Sequence, residues 1–512
     1  MSPATRPLSE LVRGLGEVPP GIEVSDVTLD SRAATPGCLF LACRGRGRHG
    51  LDFAEEAAER GARAILYEDA GRDVSLPPLS SGIFVAPLPD LSRHVGLIAD
   101  RFFGSPSQTL TVAGITGTNG KTTCAWLLAQ ALQLCGRPAA YMGTLGFGVP
   151  PKITATLHTT SDAVTVHRHL AQLRELGAAC VCMEVSSHAL DQDRVGAVRF
   201  NTAAFTNLTR DHLDYHQTMT AYGAAKARLF AWPALAAQVI NIDDPFGAQL
   251  ARAPSAARAV MTTRAATLPA ELTKRLGGVD YVRATRMTAE PASLSIDVES
   301  SWGGANLTVP LLGDFNVDNI LTVLGVLLVW NVPLGAAADA LAHCRAPSGR
   351  METFGGQGSA PLAIVDYAHT PDALYKALRA VRLHCRGKLH VVFGCGGDRD
   401  AGKRPLMGKV AAELADDIIV TDDNPRTEDP GRIVADVLAG ITQPASVMVE
   451  HDRARAIQIA IGRSSPRDAV LIAGKGHEDY QIYGKSRRPF SDQAVVSQVL
   501  QGGCSVVQGG CS

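Results

Sequence analysis

Residues 114–123 read GITGTNGKTT, a glycine-rich turn that follows an apolar run and opens the helix-period segment KTTCAWLLAQALQL. Glycines let successive backbone N–H groups close around phosphate oxygens, and a helix N-terminus adds favourable partial charge. Gly117, Thr118, Asn119 and Gly120 would form the cradle. Lys121 would reach the β- and γ-phosphates, and Thr122, followed by Thr123, would offer its hydroxyl to Mg²⁺. The general phosphate-loop pattern asks for glycine at 115, where this chain has Ile115. A glycine-rich turn alone is often structural; the strand before it, the helix after it and the intact Gly-Lys-Thr favour nucleotide binding.

Further polar segments follow other apolar runs. MEVSSHALDQDR (183–194) carries Glu184, and TNLTRDHLDYH (206–216) carries His212. Both are candidate Mg²⁺ ligands, although Mg²⁺ prefers oxygen and a buried carboxylate bonded to a histidine would explain the same residues. Lys226 lies in AYGAAKARLF, where a lysine ordinarily snorkels to the surface. Near the C-terminus, GCGGDRDAGKRPLMG (394–408), TDDNPRTEDP (421–430) and GKGHEDYQ (474–481) each follow a strand candidate and could converge on one pocket. As turns, DNP and GKG need no ligand.

These segments must be positioned by a parallel sheet. Strand-length apolar runs fall at 109–116, 180–187, 201–208, 237–242, 361–367, 388–394, 417–421 and 468–473. They are continuous rather than alternating, as strands buried on both faces should be. Helical segments separate them; Pro371 opens one as PDALYKALRAV, with Gly387 beyond its end. Strands alternating with helices predict an α/β chain of doubly wound sheets. Three domains are expected: a small α/β unit at 1–105, a central phosphate-loop domain with a mostly parallel sheet at 106–345, and a Rossmann-like domain at 346–500. A strand-rich excursion is expected at 270–312. The repeated VLQGGCS and VVQGGCS lead into a flexible tail, 501–512.

Composition narrows the function classes. Lys and Arg number 49 against 50 Asp and Glu, so no chain-wide field favours nucleic acid or an anionic membrane. The N-terminal residues contain no apolar stretch of signal-peptide or spanning length. Eleven cysteines without CxxC spacing read as reduced thiols. A cytoplasmic protein without a membrane span is expected.

GTNGKTT is the phosphate-loop variant of Mur ligases and folylpolyglutamate synthetases, and the segments read in order from about residue 26 to 492 resemble the Mur ligase family. The resemblance implies Glu184 and His212 as ligands, with Thr122, for two Mg²⁺ ions. It also implies Lys226 as a carbamate formed with CO₂, an anion that helps hold the second ion. A UDP-sugar peptide would meet Leu29 and Ser31 of LDSR, and Arg46, Gly47 and Arg48 of a loop more basic than the family pattern. It would also meet His158, Thr159 and Thr160 of HTTSDAV, and Ser186, Gln192 and Arg194. ATP would be gripped from the far side by Asn319, Arg350 and Asp366.

The acceptor amino acid would meet Arg399, Asp423, Asn424, Pro425, Arg426, Gly474 and Glu478. The Arg426 guanidinium can fork onto the distal carboxylate of diaminopimelate, which lysine lacks, and lysine-adding relatives lack this arginine. Glu478 suits the distal ammonium. The implied reaction is ATP-dependent addition of meso-diaminopimelate to a UDP-muramoyl dipeptide through an acyl phosphate, by a monomer. Rival readings are a lysine-adding homologue, folylpolyglutamate synthesis, which leaves DSR and DNPR unexplained, and a nucleotide-binding regulator without ligase activity.

Overall fold

The computed structural model describes residues 5–45, 47–69, 82–156, 158–267, 279–356 and 358–502, in two compact units, 1–260 and 261–512. In the first unit, the strands Val27–Thr28, Leu39–Ala42, Ala64–Tyr67 and Phe84–Pro87 form a small parallel sheet in chain order. Leu39 and Leu41 bury against Leu8, Leu11 and Val27, while Phe40 and Ala42 bury against Ala54, Ala57 and Ile65. The period of two sends neighbours to opposite faces, so both faces are covered.

The larger sheet of this unit runs Lys152–Thr154, Gly146–Val149, Ala139–Gly143, Cys180–Glu184, Thr111–Thr116, Thr202–Phe205, Ala237–Asn241. The last five pair in parallel, and the first two join antiparallel. The strand that feeds the phosphate loop is central, with Glu184 in register with Ile115 and Phe205 with Thr116. Three chain segments therefore leave the sheet side by side at its carboxyl edge, where open α/β sheets bind ligands. The helix Ala163–Glu175 starts at Asp162, whose carboxylate accepts from Thr165 N at 3.0 Å. Its Arg168 donates to Asp26 Oδ2 (3.2 Å) and Val27 O (2.9 Å), and its Ala163 and Val164 pack into the core under the small sheet.

The second unit begins with the antiparallel strands Asp280–Glu290, Ser293–Ser300 and Gly303–Val309, the strand-rich excursion expected here. Further on lies a six-stranded sheet in the order Glu352–Gly355, Leu362–Asp366, Ala469–Ala473, Leu389–Phe393, Asp417–Val420, Met448–Val449, antiparallel only at its first pair. Ile364, Val391 and Leu471 bury on one face, and Val365, Val392 and Ile472 on the other. All eight strand candidates form strands, trimmed by one to four residues in all. The helix Pro371–His384 starts as read, with Thr370 Oγ1 accepting from Ala373 N at 3.3 Å.

Two helices of this unit, Arg453–Arg463 and Asp492–Gln501, are tied at their first residues. Arg453 donates to Asp492 through Nε (2.7 Å) and Nη2 (2.8 Å), both side chains being fully buried, and Nη2 also reaches Ala473 O at 3.0 Å. Removing one partner of a buried pair strands the other charge, at a cost of about 3–5 kcal/mol. Arg453→Met is expected to lose about that much in urea unfolding, and Arg453→Met/Asp492→Leu clearly less. Equal losses would dismiss the pair as a source of stability.

Candidate active site

The phosphate loop is held by the neighbouring strand end. Thr118 N donates to Asn207 O (2.8 Å), Asn119 N to Asn207 Oδ1 (3.0 Å), and Thr206 Oγ1 to Asn119 O (2.6 Å). Gly117 has φ 154°, and a Cβ there would lie 1.9 Å from Thr206 Oγ1, so only glycine fits. Gly120, with φ 84°, turns the chain into the helix Lys121–Leu134. Lys121 Nζ donates to Gly117 O and Thr118 O, both at 2.9 Å.

Glu184 is wholly buried one strand away. Its Oε1 accepts from Thr144 N (2.9 Å) and from the Tyr141 hydroxyl, and its Oε2 accepts from Thr122 Oγ1 (2.9 Å). Thr144 Oγ1 lies 3.2 Å from Oε2 and 3.1 Å from Thr159 Oγ1. The carboxylate reaches this place because residue 143 is glycine: a Cβ there would sit 2.2 Å from Oε1. Thr122 and Glu184, expected to share a cation, are thus in contact, and their hard oxygen donors suit Mg²⁺. Among the described residues no three His, Cys, Asp or Glu side chains gather as a complete cage.

Lys226 is buried, 1% exposed, and its Nζ donates to Gly117 O at 2.7 Å, the carbonyl that Lys121 also uses. Burial and then the neighbouring Lys121 charge push its amine well below the usual lysine range, against a smaller opposite pull from Asp211. The amine lies 4.4 Å from the centre of the Tyr222 ring, whose hydroxyl is 3.2 Å from Thr118 Oγ1. His212, at φ 51°, packs edge-on against Tyr222 (6.0 Å) and His188 (4.9 Å). Burial and then His212 and His216 lower the pKa of His188. His212 is thus joined to the Lys226 side of the site through Tyr222; no direct contact joins it to Glu184.

The substrate-side residues sort into several environments. Thr160 is buried, donates to Glu184 O (3.0 Å) and accepts from Ser186 N (3.2 Å), so it braces the strand end. Ser186 caps the next helix through Ala189 N (3.1 Å). Arg194 donates to Gln192 Oε1 (2.9 and 2.6 Å) and to Thr160 O (2.9 Å), and Gln192 donates to Tyr215 OH (3.0 Å). Thr159 and the exposed His158 complete this rim beside Thr144 and Glu184. Just past the first strand of the small sheet, Ser31 Oγ donates to Glu56 Oε2 at 2.6 Å, and Leu29 is half-buried. Arg48 packs on Phe53 (4.3 Å) and pairs with Asp52 (3.3 Å) in the turn that contains Gly47. Arg46 lies outside the described residues.

In the second unit, the loops after Leu389–Phe393, Asp417–Val420 and Ala469–Ala473 meet at one carboxyl edge, as the strand ends suggested. Arg426, at φ 53°, donates Nη1 to Gly397 O (2.7 Å) and its backbone N to Ile482 O (3.0 Å). Its Nε and Nη2 make no hydrogen bond among the described residues, so one guanidinium edge stays open. Asp423 and Asn424 are buried; Glu478 Oε2 accepts from Asn424 Nδ2 (3.0 Å) and Lys475 Nζ (3.1 Å). Gly474, φ 120°, lets Asp423 close in, since a Cβ there would meet its Oδ2 at 2.7 Å. Asp398 binds Thr427, which latches the loop carrying the exposed Arg399 to the DNPR loop that includes Pro425.

Arg350 lies over the Tyr367 ring at 4.8 Å. Burial raises the pKa of Asp366, against the pull of Arg350. A Cβ on Gly349 would strike Gly476 C at 2.1 Å, so this segment crosses the GKG loop backbone to backbone. Asn319 is buried in the helix Phe315–Val329 and donates to Asn316 Oδ1 at 2.8 Å. Sequence reading passed over Tyr141, Gly143, Thr144, Tyr222 and Lys475. Of these only Lys475 carried a local signal, a lysine between two glycines at a strand end.

Three family models match the chain: Mur ligase family, catalytic domain, at residues 23–94; Mur ligase middle domain, at 115–327; and Mur ligase, glutamate ligase domain, at 349–476. The chain belongs to the Mur ligase family. The UDP-N-acetylmuramoyl-L-alanyl-D-glutamate–2,6-diaminopimelate ligase of Xanthomonas campestris pv. campestris (strain 8004) is 47% identical over 480 residues, 94% of each chain. The ligase of the same name from Ectopseudomonas mendocina (strain ymp) is 45% identical over 94% of this chain and 96% of its own. A solved structure of a ligase of that name superposes with TM-score 0.71 at 33% identity, covering 98% of this chain and 99% of the other.

Because Gly143 makes room for Glu184, Gly143→Ala is expected to weaken Mg²⁺-supported ATP binding about tenfold or more, with little change when the metal is chelated. Titration calorimetry with and without Mg²⁺ reads this directly. An unchanged affinity would separate Glu184 from the metal.

Proposed function

We propose that this chain is an ATP-dependent ligase that joins 2,6-diaminopimelate, as the meso isomer, to UDP-N-acetylmuramoyl-L-alanyl-D-glutamate in peptidoglycan precursor synthesis. The relatives of that name, similar across nearly the full length, support the activity. The observation that carries the acceptor assignment is the presence of Arg426, with an open guanidinium edge, and Glu478 on adjoining loops of one sheet edge, joined by the Asn424–Glu478 hydrogen bond. A guanidinium fork and a carboxylate answer a distal carboxylate and a distal ammonium together. A lysine acceptor would leave Arg426 without a partner. A regulator without ligase activity would have no use for a buried lysine with a lowered pKa beside the phosphate loop.

In this reading residues 1–105 serve the UDP end, 106–345 ATP, and 346–500 the acceptor. Lys121 is drawn from the loop carbonyls to the transferring phosphate. Thr122 and Glu184 would hold Mg²⁺ with the ATP phosphates, and His212 and Lys226 as its carbamate a second ion. Bound there, the ions would offset the negative charge shared by ATP and the attacking carboxylate. The γ-carboxylate of D-glutamate takes the γ-phosphoryl group, giving an acyl phosphate and ADP. The uncharged amine of diaminopimelate then attacks the acyl carbon; phosphate leaves, and the amide nitrogen gives up a proton. Such transfer rests on positioning and charge neutralisation, so no protein nucleophile is required. The substrates place the reaction in the cytoplasm, and a single chain carries all the assigned residues.

Lys226 supports the carbamate in a specific way: burial and Lys121 lower its affinity for a proton, and it is the uncharged amine that attacks CO₂, which an ammonium cannot. With ¹³C-bicarbonate, the protein is expected to give a carbamate carbon resonance that Lys226→Met lacks. The same variant should lose about a hundredfold or more of phosphate release while keeping or raising its melting temperature. A resonance that persists in the variant would move the carbamate elsewhere.

The reaction itself is tested by phosphate release from ATP with the UDP-muramoyl dipeptide and either meso-diaminopimelate or L-lysine. Release with diaminopimelate alone, falling by about 10²-fold or more in Arg426→Ala, is expected. Release with lysine alone would keep the ligase and reject the acceptor. No release with either would reject the ligase.

A further inference from the structure

Lys475 is wholly buried among the acceptor loops. Its Nζ donates to Glu478 Oε2 at 3.1 Å and to Asn424 Oδ1 at 3.2 Å, with Asp423 Oδ1 at 3.8 Å. Asn424 Nδ2 donates to the same Glu478 Oε2 at 3.0 Å, which closes a triangle of three side chains. Asn424 Oδ1 also accepts from Ile482 N at 2.9 Å, so both ends of this amide, 3% exposed, are engaged within the protein. Glu478 is thereby asymmetric. One oxygen takes two donors, and Oε1 takes none among the described residues.

We propose that Lys475 and Asn424 are positioning residues: a buried brace that fixes Glu478 by Oε2 and presents Oε1 to the distal ammonium of the acceptor. This deepens the acceptor reading above and rests on it. Charge counting supports it. Asp423, Glu478 and Lys475 together carry one net negative charge, which a single ligand ammonium cancels; Arg426 is cancelled by a single ligand carboxylate. A zwitterionic distal centre therefore answers both charges, whereas an acceptor with only an ammonium leaves the free edge of Arg426 without a carboxylate. Without Lys475, Glu478 and Asp423 would face each other as like charges, and Glu478 would be free to turn.

The test compares Lys475→Met, Glu478→Gln and the double variant in the full phosphate-release assay. Lys475→Met is expected to raise KM for diaminopimelate about tenfold, with kcat within about threefold and KM for ATP and the UDP-muramoyl dipeptide within about twofold. Because the brace acts through Glu478, adding Lys475→Met to Glu478→Gln should raise that KM no further. Additive effects, an equal rise in all three KM values, or no rise would overturn the proposal. Should Lys475→Met alone fail to fold, the double variant, which removes both charges, is compared with Glu478→Gln: equal acceptor KM values support the brace, and a further rise rejects it. If the wild type uses lysine and not diaminopimelate, the acceptor assignment falls separately, and the same comparison made with lysine judges the brace.

Discussion

A carboxylate with no exposed surface, Glu184, is the constraint on which the first unit depends. Its donors are the Tyr141 and Thr122 hydroxyls and the Thr144 amide, and no cation lies within ion-pair distance among the described residues. Burying a charge is costly unless every lone pair is answered. Those answers come from three separate elements: the strand that contains Tyr141, the turn after it, and the first turn of the phosphate-loop helix. Each must arrive within a few tenths of an ångström, and the glycine at 143 is what lets the carboxylate sit between them. The parallel register that sets Glu184 opposite Ile115 is therefore as much an electrostatic requirement as a packing one.

The same economy shapes the phosphate loop. Gly117 allows Thr206 to close on it, and Asn207 then ties down the loop amides of Thr118 and Asn119. A loop anchored by its neighbour strand meets a polyanion with little conformational entropy left to lose. In the second unit, Gly349 against Gly476 and Gly474 against Asp423 allow backbones and carboxylates to approach where any side chain would collide. Glycine in these loops is a matter of distance as well as of φ.

Much of this was legible in the sequence because it is local. Continuous apolar runs marked the strands that lead into the phosphate loop, Glu184, the His212 segment and the acceptor loops, though not Ala139–Gly143, which carries Tyr141 and leads into Thr144; Gly-Lys-Thr marked the phosphate loop by its own spacing. That the polar segments follow strand ends was enough to gather them at two sheet edges. What stayed hidden depends on register between distant residues. Tyr141 lies 43 residues from Glu184, and Thr122 lies 62 residues from it; no periodicity reports that their hydroxyls meet on one carboxylate. The Arg426 backbone, at φ 53° and bonded to Ile482, is set by a hairpin more than fifty residues downstream. The division of Thr159 and Thr160 into a rim residue and a buried strut is likewise invisible in a pair of adjacent threonines.

Lys226 and Lys475 are equally buried and lie at comparable sheet edges, yet their surroundings differ in sign. Lys226 shares a carbonyl with another ammonium and has no carboxylate within ion-pair distance among the described residues, so burial and repulsion both lower its affinity for a proton. Lys475 has Glu478 at 3.1 Å and Asp423 at 3.8 Å, an arrangement that calls for a cation. A buried amine without a counter-ion is unstable as an ammonium and reactive as a nucleophile, which suits the carbamate proposed at Lys226. A buried ammonium between carboxylates is inert and directional, which suits a residue that must hold others in place. Residue type alone does not separate the two, because both follow from which charges the sheet edges bring within a few ångströms.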